Sequence, residues 1–322
     1  MIKARGLTKT FQINKFTVEA VRGIDLDVSS GEMVGFLGPN GAGKSTTLRM
    51  LTTLLRPTSG EANIGGCDLL SDPAGVRKLI GYVGQNSSAG VEYKVREELV
   101  THARLQGLSA SVARARVAEM LDQYDLTGLE DRMIGALSGG QKRRIDIVMG
   151  VLHRPPVVFF DEPSTGLDPQ SRSNLWDHIR NLRRDYETTV FLTTHYLDEA
   201  DSLCDRILVI DGGRIVAEGT ADELKAQVNG DLVTLETSAA PETAAAAERL
   251  DGATEVTVDG TTVRFRIARG DRVLPGLLRE LDRINVDVFS VRTSRPTLDD
   301  VFLTVTGRSL RDSETAPAIP GL

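Results

Sequence analysis

Residues Gly38-Pro39-Asn40-Gly41-Ala42-Gly43-Lys44-Ser45-Thr46 constrain this chain more than any other stretch. Their spacing, G-x-x-x-x-G-K-[ST], is that of a loop that wraps phosphate groups. Backbone N–H groups can close around a dense negative charge only where no Cβ holds them away, and the pattern gives that role to Gly38, Gly41 and Gly43. A helix starting near Lys44 would point its positive dipole end at the same phosphates. The apolar run Met33-Val34-Gly35-Phe36-Leu37 reads as a short buried strand before the loop. Thr46-Thr47-Leu48-Arg49-Met50-Leu51 reads as the helix after it. In that setting Lys44 is expected to reach the β- and γ-phosphates of a nucleoside triphosphate, and the Ser45 hydroxyl to ligate Mg²⁺.

Composition narrows the setting. A chain of 322 residues is too long for one compact core and long enough for one large domain and one small one. Its net charge of -7 argues against non-specific nucleic-acid binding, so no nucleic-acid partner is expected. Cys67 and Cys204 lie far apart with no C-x-x-C between them, which fits inert thiols in a reducing compartment. The opening Met1-Ile2-Lys3-Ala4-Arg5 leads into no secretion-signal core. No run of about 18 apolar residues could span a bilayer. Any membrane role is therefore expected to come through a partner.

Along the chain, residues 1 to 30 read as strands, with Ile24, Leu26 and Val28 alternating against Asp25, Asp27 and Ser29. Ile80-Gly81-Tyr82-Val83 is a short strand that ends at Gly84-Gln85. From about 86 to 150 the pattern turns helical. Leu99, Ala103 and Leu105, then Val112, Val117, Met120, Leu121 and Tyr124, recur at helix spacing around the break Gly107-Leu108-Ser109. This insertion leads into Leu137-Ser138-Gly139-Gly140-Gln141. Ser138 and Gln141 fit a capping box, and a glycine-rich helix start with a Ser hydroxyl is a second anion-binding end. Two phosphate surfaces for one nucleotide make sense if two copies of the chain face each other.

Val157-Val158-Phe159-Phe160 reads as a strand buried on both faces, and it delivers Asp161 and Glu162 at its carboxyl end, where open parallel sheets bind ligands. Asp161 is expected to hold Mg²⁺ and Glu162 to orient or deprotonate an attacking water. Thr189-Val190-Phe191-Leu192-Thr193-Thr194 delivers His195 in the same way, placed to sense a terminal phosphate. Trp176 reads as packing. Arg206 to Ala217 reads as a hairpin turning at Asp211-Gly212-Gly213.

The order of these motifs — the loop at 38–46, Gln85, 137–141, Asp161-Glu162, Ser164 to Asp168, then His195 — resembles the ATP-binding subunit of an ABC transporter over about residues 1–225. The resemblance implies a phosphate-loop NTPase domain of α/β class with an inserted helical subdomain at about 86–150. It also implies a head-to-tail homodimer. Each ATP would lie between Gly38, Pro39, Asn40, Gly41, Ala42, Gly43, Lys44, Ser45 and Thr46 of one copy and Ser138, Gly139, Gly140 and Gln141 of the other. By position Phe11 stacks on adenine, and Gln85 joins Ser45 and Asp161 at Mg²⁺ and faces a membrane partner. Glu162 is the base, His195 the switch, and Lys44 completes the catalytic set.

Residues 230–308 read as a separate small α+β domain. Strand-like Leu232 to Glu236, helix-like Glu242 to Leu250, alternating 255–258 and 263–267, helix-like Val273 to Ile284 and alternating Val286 to Val288 give β-α-β-β-α-β, the ferredoxin-like order. A last helix follows Thr297, with Leu298, Val301, Phe302 and Val305 on one face. Its Leu298-Asp299-Asp300-Val301-Phe302-Leu303 before Thr306-Gly307 is similar to the ending of the daunorubicin-resistance subfamily of exporter ATPases, which pair with a separate ABC-2 type permease. Residues 309–322 read as a disordered tail. These resemblances imply an ATPase energising drug efflux from the cytoplasmic face of the cell membrane. The competing readings are a soluble ABC ATPase acting on ribosomes or DNA, a regulatory module that does not hydrolyse, and an exporter of lipid, glycan or peptide. The first usually has tandem ATP-binding halves, a long coiled-coil insertion or zinc cysteines, and the second would have lost Lys44, Glu162 or His195.

Overall fold

A computed structural model describes residues 1–13, 16–228 and 230–309 and divides the chain into two compact units, Met1–Thr220 and Ala221–Ser309. Apart from Ser309, the tail expected at 309–322 lies outside the described residues.

In the first unit, β1 (Ile2–Ile13) and β2 (Phe16–Val28) pair antiparallel. Ile24, Leu26 and Val28 are buried and Asp25 and Asp27 exposed, as a period of two requires. Then come β3 (Met33–Leu37), α1 (Lys44–Leu51), β4 (Ser59–Ile64), β5 (Cys67–Asp68), α2 (Pro73–Leu79) and β6 (Ile80–Val83). The helical insertion is α3 (Val95–Leu105), α4 (Ala110–Gln123) and α5 (Gly139–Val151). The unit closes with β7 (Val157–Asp161), α6 (Pro169–Tyr186), β8 (Thr189–Thr194), α7 (Leu197–Leu203), β9 (Arg206–Asp211) and β10 (Arg214–Gly219).

These strands make two sheets. One is antiparallel, in the order β2-β1-β4-β5. The other runs β10-β9-β3-β8-β7-β6 and is parallel except for β10 at its edge. β3, β7 and β8 are buried at every residue, as strands covered on both faces must be. Alternate residues feed two cores. Val34, Phe36, Val157, Phe159 and Phe191 pack with Ile2, Leu7, Ile24 and Ile64 from the antiparallel sheet. Met33, Val158, Phe160, Val190 and Leu192 pack with Leu99, Val117, Val148 and Ile179 from the helices. Phe36, Phe159 and Phe191 meet as tilted ring pairs at 5.6 and 5.7 Å. They come from three neighbouring strands, β3, β7 and β8, and burying each contributes about 1.5–3 kcal/mol.

The helical insertion departs from the expected stripe at two residues. Leu105 is 80 % exposed and Val112 is 48 % exposed. Val95, Leu99 and Ala103 set the buried phase of α3, and Leu105, two residues further, is rotated by roughly 200° from Ala103. In α4 the buried stripe starts at Ala113 and runs through Val117, Met120 and Leu121.

The second unit comprises α8 (Ala221–Ala226), β11 (Asp231–Thr237), α9 (Ala240–Glu248), β12 (Thr254–Asp259), β13 (Thr262–Ile267), α10 (Gly270–Arg283), β14 (Val288–Ser294) and α11 (Leu298–Thr306). Its sheet runs β12-β13-β11-β14 with every pair antiparallel. Val233, Leu235, Val263, Phe265 and Ile267 pack against Ala244 and Ala247 of α9 and Leu277 and Leu281 of α10. Val286 belongs to this core but precedes β14, so the last strand starts two residues later than its alternation predicted. Thr297 and Asp300 cap α11 reciprocally, and α11 packs on α8 with Leu298, Val301 and Phe302 buried and Val305 half-buried. Among the described residues no helix is long and apolar enough to cross a membrane.

Candidate nucleotide-binding and hydrolysis site

The parallel strands end level with one another: Leu37 is in register with Thr194, Asp161 with Thr193, and Phe160 with Val83. The segments after β3, β6, β7 and β8 therefore leave the sheet at one edge. They carry the loop at 38–46, Gln85, Glu162 and His195 respectively.

The loop is held by its neighbours. A Cβ on Gly38 would lie 2.3 Å from the Ile210 carbonyl oxygen of β9, and one on Gly43, at φ +103°, would lie 2.5 Å from the Ala20 carbonyl oxygen of β2. These two glycines let the flanking strands β9 and β2 close on the loop. Lys44 starts α1 and is buried. Its Nζ donates to the carbonyls of Gly38 at 2.7 Å and Pro39 at 3.0 Å, and lies 3.1 Å from Glu162 Oε1. Asn40 and Gly41 are exposed, whereas Pro39 and Ala42 are buried and Thr46 is half-buried.

The two carboxylates sit differently. Asp161 Oδ1 accepts from Ser45 Oγ at 2.9 Å and from Thr193 Oγ1 at 2.8 Å. Glu162 has φ +47°, a left-handed conformation costly for a side chain with a Cβ. Its N–H is held by the Thr193 carbonyl at 3.1 Å and by Thr193 Oγ1 at 3.0 Å. Its Oε2 accepts from Gln85 Nε2 and from Thr165 Oγ1, both at 3.3 Å. His195 Nδ1 is also 3.3 Å from Oε2, at ion-pair distance but without the alignment of a hydrogen bond. Burial pushes the Glu162 carboxyl up, but the neighbouring imidazole and the Lys44 ammonium outweigh it and hold the group at about 2.

Other expected residues lie elsewhere in the unit. Ser138 caps α5: its Oγ accepts from Gln141 N at 3.3 Å, and Gln141 Oε1 accepts from Ser138 N at 2.9 Å. Ser138 and Gly139 are exposed, and Gly140 and Gln141 are half-buried. Phe11 is half-buried on β1, with Lys9 Nζ 5.2 Å from its ring centroid. Its partner in register is Val18, two residues before the Ala20 that touches Gly43. Trp176 does more than pack. Its Nε1 donates to Ser164 Oγ at 3.2 Å and to buried Glu199 at 3.1 Å, tying the turn after Glu162 to α6 and α7.

The ABC transporter family model matches residues 21–165, and that of the C-terminal domain of DrrA1-3-like ATP-binding proteins matches 219–306. The daunorubicin/doxorubicin resistance ATP-binding protein DrrA of Streptomyces peucetius is 44 % identical over 98 % of this chain and 96 % of its own. The chain belongs to the daunorubicin-resistance family of ABC transporter ATP-binding proteins. The doxorubicin resistance ATP-binding protein DrrA of Mycobacterium tuberculosis (strain ATCC 25618 / H37Rv) is 40 % identical over 95 % of this chain and 93 % of its own. Among solved structures, a dimeric ATP-binding cassette in a post-hydrolysis state bound to ADP and Pi superposes with a TM-score of 0.63. It is 26 % identical, covering 68 % of this chain and 98 % of that one. The first unit is thus an ABC ATPase α/β fold, and the protein is an ABC transporter ATPase.

In this ABC ATPase three contributors escaped the motif reading. Thr193 Oγ1 donates to the Asp161 carboxylate and accepts from the Glu162 N–H, Thr165 Oγ1 donates to the Glu162 carboxylate, and Arg143 of α5 donates to the carbonyls of Gly84 and Pro163. Thr193 was findable in principle, because a Thr one residue before the terminus of β8 faces the end of β7. Arg143 had no local signal, since its partners are backbone atoms far away in sequence.

Proposed function

We propose that this ATPase is the motor of a drug exporter, working as a head-to-tail pair of copies on a separate ABC-2 type permease at the cytoplasmic face of the membrane. The observation that carries this reading is the convergence of Lys44, Ser45, Gln85, Asp161, Glu162 and His195 at one sheet edge, alongside an exposed glycine-rich helix start at Ser138–Gln141. The cradle closed by Gly38 and Gly43 and the buried Lys44 suit a triphosphate. Gly38 to Thr46 hold it in one copy, and Ser138, Gly139, Gly140 and Gln141 of the other copy cover it. Phe11, close in register to the β2 residues that touch Gly43, stacks on the adenine. Ser45 Oγ, Asp161 and Gln85 would hold Mg²⁺ through their oxygens, and a bound Mg²⁺ would supply charge neutralisation at the phosphates.

Lys44 and Glu162 neutralise each other before the nucleotide arrives. A triphosphate competes for Lys44, and as the ammonium turns to the phosphates the charge that depresses Glu162 moves away. The carboxylate then regains basicity where it orients the attacking water, and His195 holds the terminal phosphate. Exposed Val91, Tyr93 and Met133 are linked by backbone bonds through Ile134 and Gly135 and follow Gln85 in the chain, which supports an apolar permease contact there. The β-α-β-β-α-β order and the β12-β13-β11-β14 sheet support a ferredoxin-like reading of the accessory domain, 230–308. The relatives named for daunorubicin and doxorubicin resistance support an amphiphilic drug as cargo.

Two measurements test this. Lys44→Ala and Glu162→Gln should each lower turnover by at least about 100-fold, and Glu162→Gln should trap an ATP-bound dimer visible by light scattering. Normal turnover in either variant would refute the assigned site. Affinity purification from detergent-solubilised membranes should recover a polytopic protein. Recovery with ribosomes or DNA instead would favour the soluble ATPase reading.

A further inference from the structure

The helix α5 reaches two loops on which the proposed site depends. Arg143 is only 7 % exposed. Its Nε donates to the Pro163 carbonyl at 2.8 Å and its Nη1 to the Gly84 carbonyl at 2.6 Å. Pro163 is the residue after Glu162, and Gly84 is the residue before Gln85. Asp146, about one turn further along α5, accepts from Ser87 Oγ and Ser88 N, both at 3.0 Å. One helix therefore grips the 84–88 segment on both sides of Gln85, and grips the backbone beside Glu162 as well.

We infer that Arg143 is a positioning residue for ATP hydrolysis, holding Gln85 and Glu162 opposite each other through the carbonyls next to each. The inference deepens the reading above and rests on it. The Gln85–Glu162 contact is long, at 3.3 Å, so the two backbones set it more than its own strength does. Glu162 sits at φ +47°, a conformation that persists only where its surroundings fix it. The guanidinium is a rigid fork that bonds two carbonyls in different directions at once, which an ammonium on a flexible stem does not reproduce. Stability alone does not explain the choice. Nη2 of Arg143 is buried without a hydrogen-bond partner among the described residues, a penalty that an apolar side chain would avoid.

The test compares full-length wild type, Arg143→Gln, Arg143→Lys and Asp146→Ala. Steady-state ATPase assays should show kcat falling at least about tenfold in Arg143→Gln, with KM for ATP unchanged within about twofold. Hydrogen exchange should rise in 84–89 and 162–166 together in Arg143→Gln, with the sheet unaffected. It should rise in one of the two segments in Arg143→Lys, and in 84–89 alone in Asp146→Ala. Unchanged kcat in Arg143→Gln overturns the inference. So does a raised KM with unchanged kcat, or exchange that rises in neither segment or throughout the sheet. Should Arg143→Gln fail to fold, the exchange pattern of Arg143→Lys decides. Normal turnover in a Glu162→Gln control would sink the hydrolysis reading instead, while the exchange data still judge whether Arg143 holds both loops.

Discussion

Glu162 is the residue on which the site's electrostatics turn. Its carboxyl is held at about 2 against a usual value near 4.5, so the folded state favours its ionised form. A depressed carboxylate contributes stability that is fully present above the unfolded value and is lost as pH falls through the folded one. The loss should therefore run from about pH 4.5 down to about pH 2. Thermal midpoints followed across that window should fall more steeply in wild type than in Glu162→Gln, which has no proton to take up there. Parallel curves would mean that Lys44 and His195 do not stabilise the carboxylate. Lys44→Met should lift the Glu162 transition towards 4.5, because it removes one of the two neighbours that depress it. The motifs led to the expectation that Lys44 and Glu162 share one site. That they pair with each other at 3.1 Å was not legible, because motif spacing carries no distance between side chains.

At the scale of the element, α5 has two jobs that one substitution can separate. Ser138 caps the helix, and it stands at the exposed end proposed to meet the partner's nucleotide. Ser138→Asp keeps a good cap and adds a favourable charge to the dipole, so the melting temperature should hold within a few degrees. The same carboxylate would repel a triphosphate, so ATP-driven dimerisation and turnover should fall by at least about tenfold. Ser138→Ala should cost about 1 kcal/mol of stability. A Ser138→Asp protein that still dimerises on ATP would disconnect this helix end from the nucleotide. The start of α5 was legible because its cap and its glycines agree on where the helix starts. The insertion helices were less so: Leu105 and Val112 fit a loose count of apolar spacings, but rotation per residue puts them off the buried face. Val286 misled for a related reason, since a buried residue just before a strand reads as part of it.

At the scale of the molecule, two regions with separate cores lie in one chain. Ala221–Ser309 has its own sheet, with α9 and α10 packed on one face, and its own buried set from Val233 to Val286. Arg266, 6 % exposed, bonds Glu255 at 3.0 Å and also pairs with Asp300, so β12, β13 and α11 are pinned inside this unit. The apolar residues of this sheet face pack against helices of the same unit. Residues 221–309 expressed alone should therefore unfold in one cooperative denaturant transition. The denaturant slope should match a domain of that size, at about 1–3 kcal/mol/M in urea. Arg266→Met should lower the transition midpoint by leaving Glu255 and Asp300 without their cation, and Asp300→Asn should lower it less, because Glu255 still pairs. A non-cooperative transition would mean that the second unit is completed by contacts from outside it. The full chain's unfolding would then have to be read as one event rather than two.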